Sequence, residues 1–259
     1  MPVELPQELV DKIVDEIAAG RVSDLWACSM VSSVWHHRSR MYLFRRIRFL
    51  NRSFLKWCEN VRPGADGPSR HVTFITLGPR FKVNLLRTSP PHISFFTNLQ
   101  TLDLHLISLF DDEDAVHLGV LGRAVRKLQV RDCLTTMDWF VPFLKRFKNL
   151  EDLQLSDIRT PRIPKLESLN HPEPPCLKGS LRIGKTYGRW KYFAEFISQL
   201  AVLPSALHTI SFFGIGWMPR EVNMLFAACR GTLARLEFHD CEFPLHTWYL
   251  RVDRFIFPD

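Results

Sequence analysis

Apolar residues recur in a fixed frame along most of the chain, at a starting position and at 3, 5 and 8 residues after it. The clearest frames begin at Leu99, Val125, Leu150, Leu207 and Leu233. Weaker copies begin at Val72, where Arg80 occupies the last position, and at Lys178, where the first apolar residue is displaced to Leu177. Successive frames start 25 to 29 residues apart, and so steady a period predicts stacked structural units.

The apolar positions at offsets 3 and 5 predict a short strand in each unit, because alternate residues of a strand face the same side. Stretches between these strands have apolar residues three or four positions apart, which predicts helices. These helical stretches contain Phe140, Leu144 and Phe147; Phe193, Phe196 and Leu200; Val222, Leu225 and Cys229. We therefore expect an α/β chain of strand-helix units, with Val252, Phe255 and Phe257 in a shortened terminal cap.

Side chains at offsets 2, 4 and 6 would alternate away from the core and line the exposed face of the sheet. The candidate substrate-binding residues on this face are Thr101, Asp103, His105, Lys127, Gln129, Arg131, Asp152, Gln154, Arg182, Phe213, Arg235, Glu237 and His239. Mixed charges and few aromatics favour protein recognition over nucleic-acid binding, and Lys127 and Arg131 would accommodate an acidic or phosphorylated segment. The alternative for each position is an ordinary solvated strand residue.

The pattern of apolar residues in the N-terminal segment predicts three short helices in about the first 47 residues. Leu5, Leu9, Ile13 and Ile17 recur every four residues on one helical face, with Pro6 at the start and Gly20 at the end. Further helices follow around Leu25 to Val31 and Val34 to Tyr42, each preceded by a serine that can cap it. So small a bundle covers its apolar surface incompletely, which predicts an exposed apolar patch and a partner.

This segment resembles the F-box of the large fungal F-box families in three blocks. They are LPxEL from Leu5, DLWACSMVSSVW from Asp24 and SRMYLFRRI from Ser39. The repeats that follow resemble the irregular leucine-rich repeats that often accompany an F-box. Trp26 departs from the family pattern, which usually has a smaller or polar residue there. The resemblance implies binding of the Skp adaptor of a cullin-RING ubiquitin ligase by a patch, or its support, that comprises Leu5, Pro6, Leu9, Ile13, Leu25, Val31 and Trp35.

The implied architecture is an F-box-like helical module at 1–50, a helix and connector at 51–71 and a leucine-rich-repeat-like solenoid at 72–259. The implied function is that of a substrate-recognition adaptor of a Skp-cullin-F-box ligase, with no catalysis and no cofactor of its own. An unidentified protein substrate would bind the repeats. Two alternatives stay open: a repeat scaffold without a ligase role, and a nucleotide-binding protein.

The nucleotide alternative depends on GSLRIGKT, Gly179 to Thr186, which fits the pattern of a phosphate-binding loop. Prolines precede it where that loop needs a buried strand, and Gly188 follows where it needs a helix. Leu181 and Ile183 also occupy the inward strand positions of their repeat frame. We therefore expect a strand at this segment rather than a phosphate cradle.

Composition and charge limit the kinds of partner, metal site and cellular location that the chain can have. The chain of 259 residues has a formal net charge of +7, yet its basic residues are spread among acids, so we expect no nucleic-acid partner. Six cysteines without a C-x-x-C pair suggest reduced thiols, and the spacing of His239, Cys241 and His246 fits no zinc signature. No apolar run is long enough for a bilayer and no signal peptide is evident, which predicts a cytoplasmic or nuclear protein without a membrane partner.

Overall fold

The structure is a computed structural model. It describes residues 5–61, 67–79, 81–88, 96–109, 118–122, 124–135, 137–159, 177–184, 196–198, 200–201, 205–214 and 219–241. Several expectations concern residues outside these ranges: the terminal cap at 252–257, the helix containing Phe193, and Lys185 and Thr186 of GSLRIGKT.

The described chain is an α/β structure built on an eight-stranded parallel sheet. In chain order its strands are β1 (Arg46–Phe49), β2 (Phe74–Leu77), β3 (Thr101–His105), β5 (Lys127–Arg131), β7 (Asp152–Ser156), β8 (Leu177–Gly184), β9 (Ser205–Phe213) and β10 (Arg235–His239). A small second sheet pairs β4 (Ser108–Leu109) with β6 (Leu134–Thr135).

The helices with defined ends lie at the N-terminus and between the strands. They are α1 (Gln7–Gly20), α2 (Leu25–Val31), α3 (Ser33–Leu43), α4 (Asn51–Asn60), α5 (Asn84–Thr88), α6 (Met137–Leu144) and α7 (Pro219–Cys229). Further helical turns occur at 118–121 and 196–198. No helix within the described residues has the length and apolar character needed to span a bilayer.

Each strand of the large sheet pairs with the strands that precede and follow it in that sheet, so spatial order equals chain order. The registers align corresponding frame positions: Leu102 lies opposite Leu128, which lies opposite Leu153. These side chains are buried, as are those at offset 5 in the same strands. The predicted strands from Val72 to Cys241 are therefore confirmed. Their inward apolar side chains form the main core except in β10, where Leu236 is half-buried and Phe238 is 39% exposed.

The sheet begins one strand earlier than the repeat frame predicted. β1 pairs in parallel with β2, with Ile47 opposite Ile75 and Phe49 opposite Leu77. Phe49 is buried and contacts the rings of Phe54, Trp57 and Phe96. The first strand thus lies within 1–50, the range predicted to form the helical module.

A left-handed backbone position follows the strand in five units, always at offset 7. The residues with positive φ there are Leu106, Asp132, Asp157, Gly214 and Asp240. In three of them the backbone N–H donates to a carbonyl of the next unit, from Leu106 to Arg131, from Asp132 to Ser156 and from Gly214 to His239. This turn redirects the chain at the same point of these five units.

The segment GSLRIGKT is extended over its described part, Gly179 to Gly184, as expected. Leu181 and Ile183 are fully buried, and the strand pairs with β7 and β9. Gly179 has φ +72° and lies at a register shift, where a Cβ atom would come within 2.1 Å of the Glu151 carbonyl oxygen. This glycine therefore permits a bulge in the strand.

Helices α1 to α3 have a small core of their own, formed by Val10, Val14 and Leu25. Half-buried side chains that pack against this core include Ile17, Trp35, Tyr42 and Leu43. The three predicted N-terminal helices are confirmed, although Pro6 precedes α1 as its N-cap residue rather than lying inside it.

Candidate interaction surfaces

One surface of the helical module is apolar and exposed. Leu9 and Ile13 on α1 are 46% and 39% exposed, and Val31 at the end of α2 is 64% exposed. Leu5 and Pro6 are exposed immediately before α1. Five of the seven predicted adaptor-binding residues thus lie at the surface, where their burial by a partner would be favourable.

Helix α1 is apolar on two adjacent faces, which explains this exposure. Val10 and Val14 face the small core, and Leu9 and Ile13 each come one residue earlier, about 100° around the helix. The remaining two predicted residues support the surface: Leu25 is fully buried, and Trp35 is half-buried against the core.

Four further exposed apolar side chains lie on α2 and α3, and none of them was predicted to bind the adaptor: Trp26, Met30, Val34 and, near the end of α3, Met41. Trp26 is 63% exposed and Met30 is 82% exposed, and Val34 is also at the surface. The exposed apolar residues Leu5, Leu9, Ile13, Trp26, Met30, Val31 and Val34 are called the apolar surface below. A helical pattern could reveal Trp26 and Met30 as i and i+4 neighbours, but only the packing shows that they face outward.

A polar cluster fixes α1 against α3. Arg38 donates two hydrogen bonds to the Asp15 carboxylate, at 2.8 and 2.7 Å, and the Tyr42 hydroxyl donates a third at 2.8 Å. The hydrogen bonds from Arg38 and then Tyr42 lower the pKa of Asp15 below its ordinary value. These contacts hold the helix that carries Leu9 and Ile13 in one orientation.

The second candidate surface is the outward face of the large sheet, where acids and bases on neighbouring strands pair. Arg131 on β5 donates two hydrogen bonds to Asp103 on β3, and Thr76 on β2 donates another at 3.1 Å. Asp103 is only 1% exposed. The expectation that Asp103 is available to a substrate is therefore wrong, because Arg131 and Thr76 cover it.

A second cluster of charged side chains on the sheet is centred on Asp152 of β7. Asp152 accepts a hydrogen bond from Ser180 at 2.9 Å, forms an ion pair with Lys127 at 2.8 Å and lies 3.9 Å from the Arg182 guanidinium. Lys127 and Arg131, expected to receive an acidic or phosphorylated segment, thus already have carboxylate partners within the sheet. An acidic ligand would have to compete with those partners.

Glu237 forms a third cluster on the last two strands. It accepts a hydrogen bond from Ser211 at 2.7 Å and pairs with Arg235 at 2.6 Å and with His239 at 3.6 Å. The Ser211 hydrogen bond and the Arg235 charge lower its pKa. The His239 ring also stacks on exposed Phe213, with centroids 4.5 Å apart, so this end offers both a flat ring and charge.

The other predicted face residues are half-buried strand positions. They are Thr101, His105, Gln129 and Gln154. His105 lies 3.4 Å from Asp132 of the next unit. The face as a whole presents paired charges and amides, which suits a partner with complementary polar groups better than a uniform polyanion.

Nothing in the described residues assembles a metal site: they contain no group of three or more His, Cys, Asp or Glu side chains able to hold an ion. Burial raises the pKa of Cys133 to about 12. Its thiol contacts the carbonyl oxygens of Leu104 and Arg131, so Cys133 is a structural residue rather than a nucleophile.

Comparison with known proteins adds no relative. A scan against models of protein families finds no match, and a search of curated proteins finds none either.

Proposed function

We propose that this chain is a substrate-recognition adaptor of a Skp-cullin-F-box ubiquitin ligase. The helical module acts as an F-box that binds the Skp adaptor, and the strand-helix units act as an irregular leucine-rich-repeat solenoid that binds a protein substrate. The proposal rests on the resemblance of residues 5–47 to the F-box and on one structural observation, the exposed apolar surface of a module that has its own small core.

The apolar surface supports the proposal because exposure of seven apolar side chains on three short helices is costly without a partner. Contiguous apolar patches on soluble proteins commonly mark interaction sites. The Asp15 cluster and the core around Val14 keep the module ordered without using those side chains. Binding can therefore cover them without unfolding the module.

The solenoid part of the proposal is supported by the chain order of the strands and the steady repeat length. Stacked units of this kind present one continuous sheet face, the usual recognition surface of such proteins. Here that face carries the Asp103, Asp152 and Glu237 clusters.

The proposed mechanism is proximity rather than catalysis. A chain that holds the adaptor at its N-terminal helices and a substrate at its sheet raises the effective concentration of substrate lysines near the ligase's ubiquitin-charged partner. All catalytic chemistry then belongs to the assembled ligase.

The test is co-purification of the full chain with a Skp adaptor. Wild type is expected to form a stoichiometric complex, and Leu9→Asp/Ile13→Asp is expected to lose it, since two carboxylates would be buried at the interface. Lys12→Asp is the matched control, because it changes net charge equally on exposed α1 without removing an apolar side chain.

A complex that survives Leu9→Asp/Ile13→Asp would contradict the assigned surface. Absence of any complex with wild type would contradict the ligase function and favour the alternative, a repeat scaffold whose N-terminal helices only cover the first strand. Thermal unfolding of each variant checks that the substitutions leave the fold intact.

A further inference from the structure

An open cavity of about 700 Å³ lies between the helical module and the N-terminal ends of the first strands. Its lining residues come from the ends of α1 and α3 and from β1, β2, β3 and β5 with the residues that precede them. They include the basic residues Arg45, Arg46 and Lys127 and the neutral residues Gln100, Thr101 and Gln129. The volume falls within the range of cavities that bind small organic ligands.

The charge of this cavity has one sign. Arg45, Arg46 and Lys127 contribute to its lining, and no aspartate or glutamate among the described residues does. Within the described residues, Lys127 has a carboxylate partner in Asp152, whereas Arg45 and Arg46 form no ion pair. Three basic residues thus line one open cavity and only Lys127 has a carboxylate partner in the described part of the chain, so a bound anion would be stabilised there.

Groups other than acids position the Arg46 side chain and the Arg45 backbone. The Arg46 guanidinium lies over the Phe74 ring, 4.5 Å from its centroid, which is an attractive cation–π geometry. The Arg45 carbonyl accepts backbone hydrogen bonds from Thr73 and Phe74, at 2.9 and 3.1 Å. The β1–β2 pairing thus fixes the backbone at Arg45 and places the Arg46 guanidinium over Phe74 without a ligand.

The neutral lining groups also suit a phosphate. Gln100 and Gln129 bring side-chain amides, and Thr101 brings a hydroxyl group. A phosphate monoester has nearly two negative charges and three acceptor oxygens, which can accept from two guanidiniums and from amide or hydroxyl donors at once. A nucleic-acid strand fits less well, because Asp103 and Asp152 interrupt the positive charge on the neighbouring strands.

We propose that this cavity is a binding site for a phosphate monoester, with Arg45 and Arg46 as the principal ligands and Lys127 and Gln129 beside them. The site shares no residue with the apolar surface, so phosphate binding can be tested independently of adaptor binding. The phosphate is carried either by a phosphorylated side chain of a protein or by a free small molecule, and the same contacts serve both.

The test measures binding of labelled probes to the full chain by fluorescence anisotropy. The probes are a degenerate peptide pool with one fixed phosphoserine and the same pool with serine, and the competitors are O-phosphoserine and inorganic phosphate. Wild type is expected to bind the phosphorylated pool at least about tenfold more tightly, the effect of one or two charge-assisted hydrogen bonds. Competition by O-phosphoserine at equal strength indicates a free ligand, and weak competition indicates a phosphoprotein.

Four variants test the residues. Arg45→Gln/Arg46→Gln is expected to remove the preference for phosphate, whereas Arg45→Lys/Arg46→Lys retains part of it because the charge persists without the guanidinium fork. Gln129→Glu, an isosteric change, is expected to weaken binding by repulsion, and it covers the case in which the arginine variant fails to fold. Arg52→Gln/Arg220→Gln removes two charges from exposed positions on α4 and α7 and serves as the matched control.

The proposal is overturned if wild type binds no phosphate probe, or binds both peptide pools equally. It is also overturned if the preference survives in Arg45→Gln/Arg46→Gln and Gln129→Glu. Tighter binding of a single-stranded oligonucleotide, weakened equally by the Arg52→Gln/Arg220→Gln control, would assign the charge to diffuse nucleic-acid attraction instead.

Discussion

Arg131 on β5 forms a bidentate ion pair with Asp103 on β3, and the two side chains differ sharply in exposure. The Asp103 side chain is 1% exposed and that of Arg131 is 41% exposed. The Arg131 guanidinium therefore covers the Asp103 carboxylate, which is buried at the surface of the sheet. Removing one partner of a buried pair is costly because the other charge stays behind uncompensated.

We expect Arg131→Met to lower the free energy of unfolding by about 2 kcal/mol, less than for a fully buried pair since Arg131 is partly in water. The double variant Asp103→Asn/Arg131→Met is expected to lose less than Arg131→Met alone, because no charge is left buried. Urea unfolding of both variants measures this order. The reverse order would show that Asp103 does not depend on Arg131 for its compensation.

The conformation of Gly179 predicts how a substitution in the strand inside GSLRIGKT affects stability. An alanine there would carry both a positive φ and a Cβ 2.1 Å from the Glu151 carbonyl oxygen. We expect Gly179→Ala to destabilise the fold by about 3 kcal/mol. The measurement is chemical unfolding of the full chain.

Gly231→Ala is the matched control for this substitution, because nothing lies within 4 Å of the Cβ position at Gly231. We expect a change of no more than about 0.5 kcal/mol there. Equal effects at Gly179 and Gly231 would contradict the bulge as the reason for the glycine.

Leu106 is the non-glycine apolar residue among the described left-handed positions, with φ 54°. We expect Leu106→Gly to be more stable than Leu106→Ala by about 1 kcal/mol, because glycine adopts this conformation without a Cβ penalty. The same pair at Leu55, a comparably exposed leucine within α4, should give the opposite sign, since glycine disfavours helices. Thermal unfolding of the four variants tests the contrast.

Much of the sheet could be predicted from the sequence because its determinants are local and repeated. Leu128 and Val130 alternate on one strand, and the next frame places Leu153 and Leu155 in the same way. A wrong register by one residue would expose every such pair. The rejection of GSLRIGKT as a phosphate loop follows from the same rule, because Leu181 and Ile183 had to face the core.

Other features depend on contacts between distant segments and were not predicted. β1 has a mixed sequence, RIRF, and becomes a strand because β2 is available to pair with it. The burial of Asp103 depends on Arg131, 28 residues later. The cavity beside Arg45 exists only where the helical module meets the strand ends, so no local pattern marks it.

The stability of the helical module is expected to fall in acid because of Asp15. Its pKa is lowered in the folded state, chiefly by the hydrogen bond from Arg38, so the unfolded chain binds a proton more readily. This contribution to stability is complete above the unfolded pKa, near 3.8, and is lost as pH falls through the lower, folded pKa. We expect Asp15→Asn to remove part of the stability at neutral pH and to flatten its decline in acid.

The measurement is thermal unfolding of the full chain between neutral pH and pH 3. Asp11→Asn is the control, since it makes the same charge change on the same helix. Among the described residues, the Asp11 side chain accepts its one side-chain hydrogen bond from nearby Gln7, at 2.7 Å. An unchanged pH profile in Asp15→Asn would show that the Asp15 contacts do not stabilise the helical module.

The last prediction separates binding from stability on the apolar surface and depends on the proposed adaptor function. Trp26 and Met30 are mostly exposed, so Trp26→Ser/Met30→Ser should change the free energy of unfolding by no more than about 1 kcal/mol. If the adaptor covers them, affinity should fall at least about tenfold, because large apolar residues dominate interfaces. Met224→Ser on α7 is the control in the adaptor-binding assay. Unchanged affinity in the double variant would confine the binding surface to Leu5, Leu9, Ile13, Val31 and Val34.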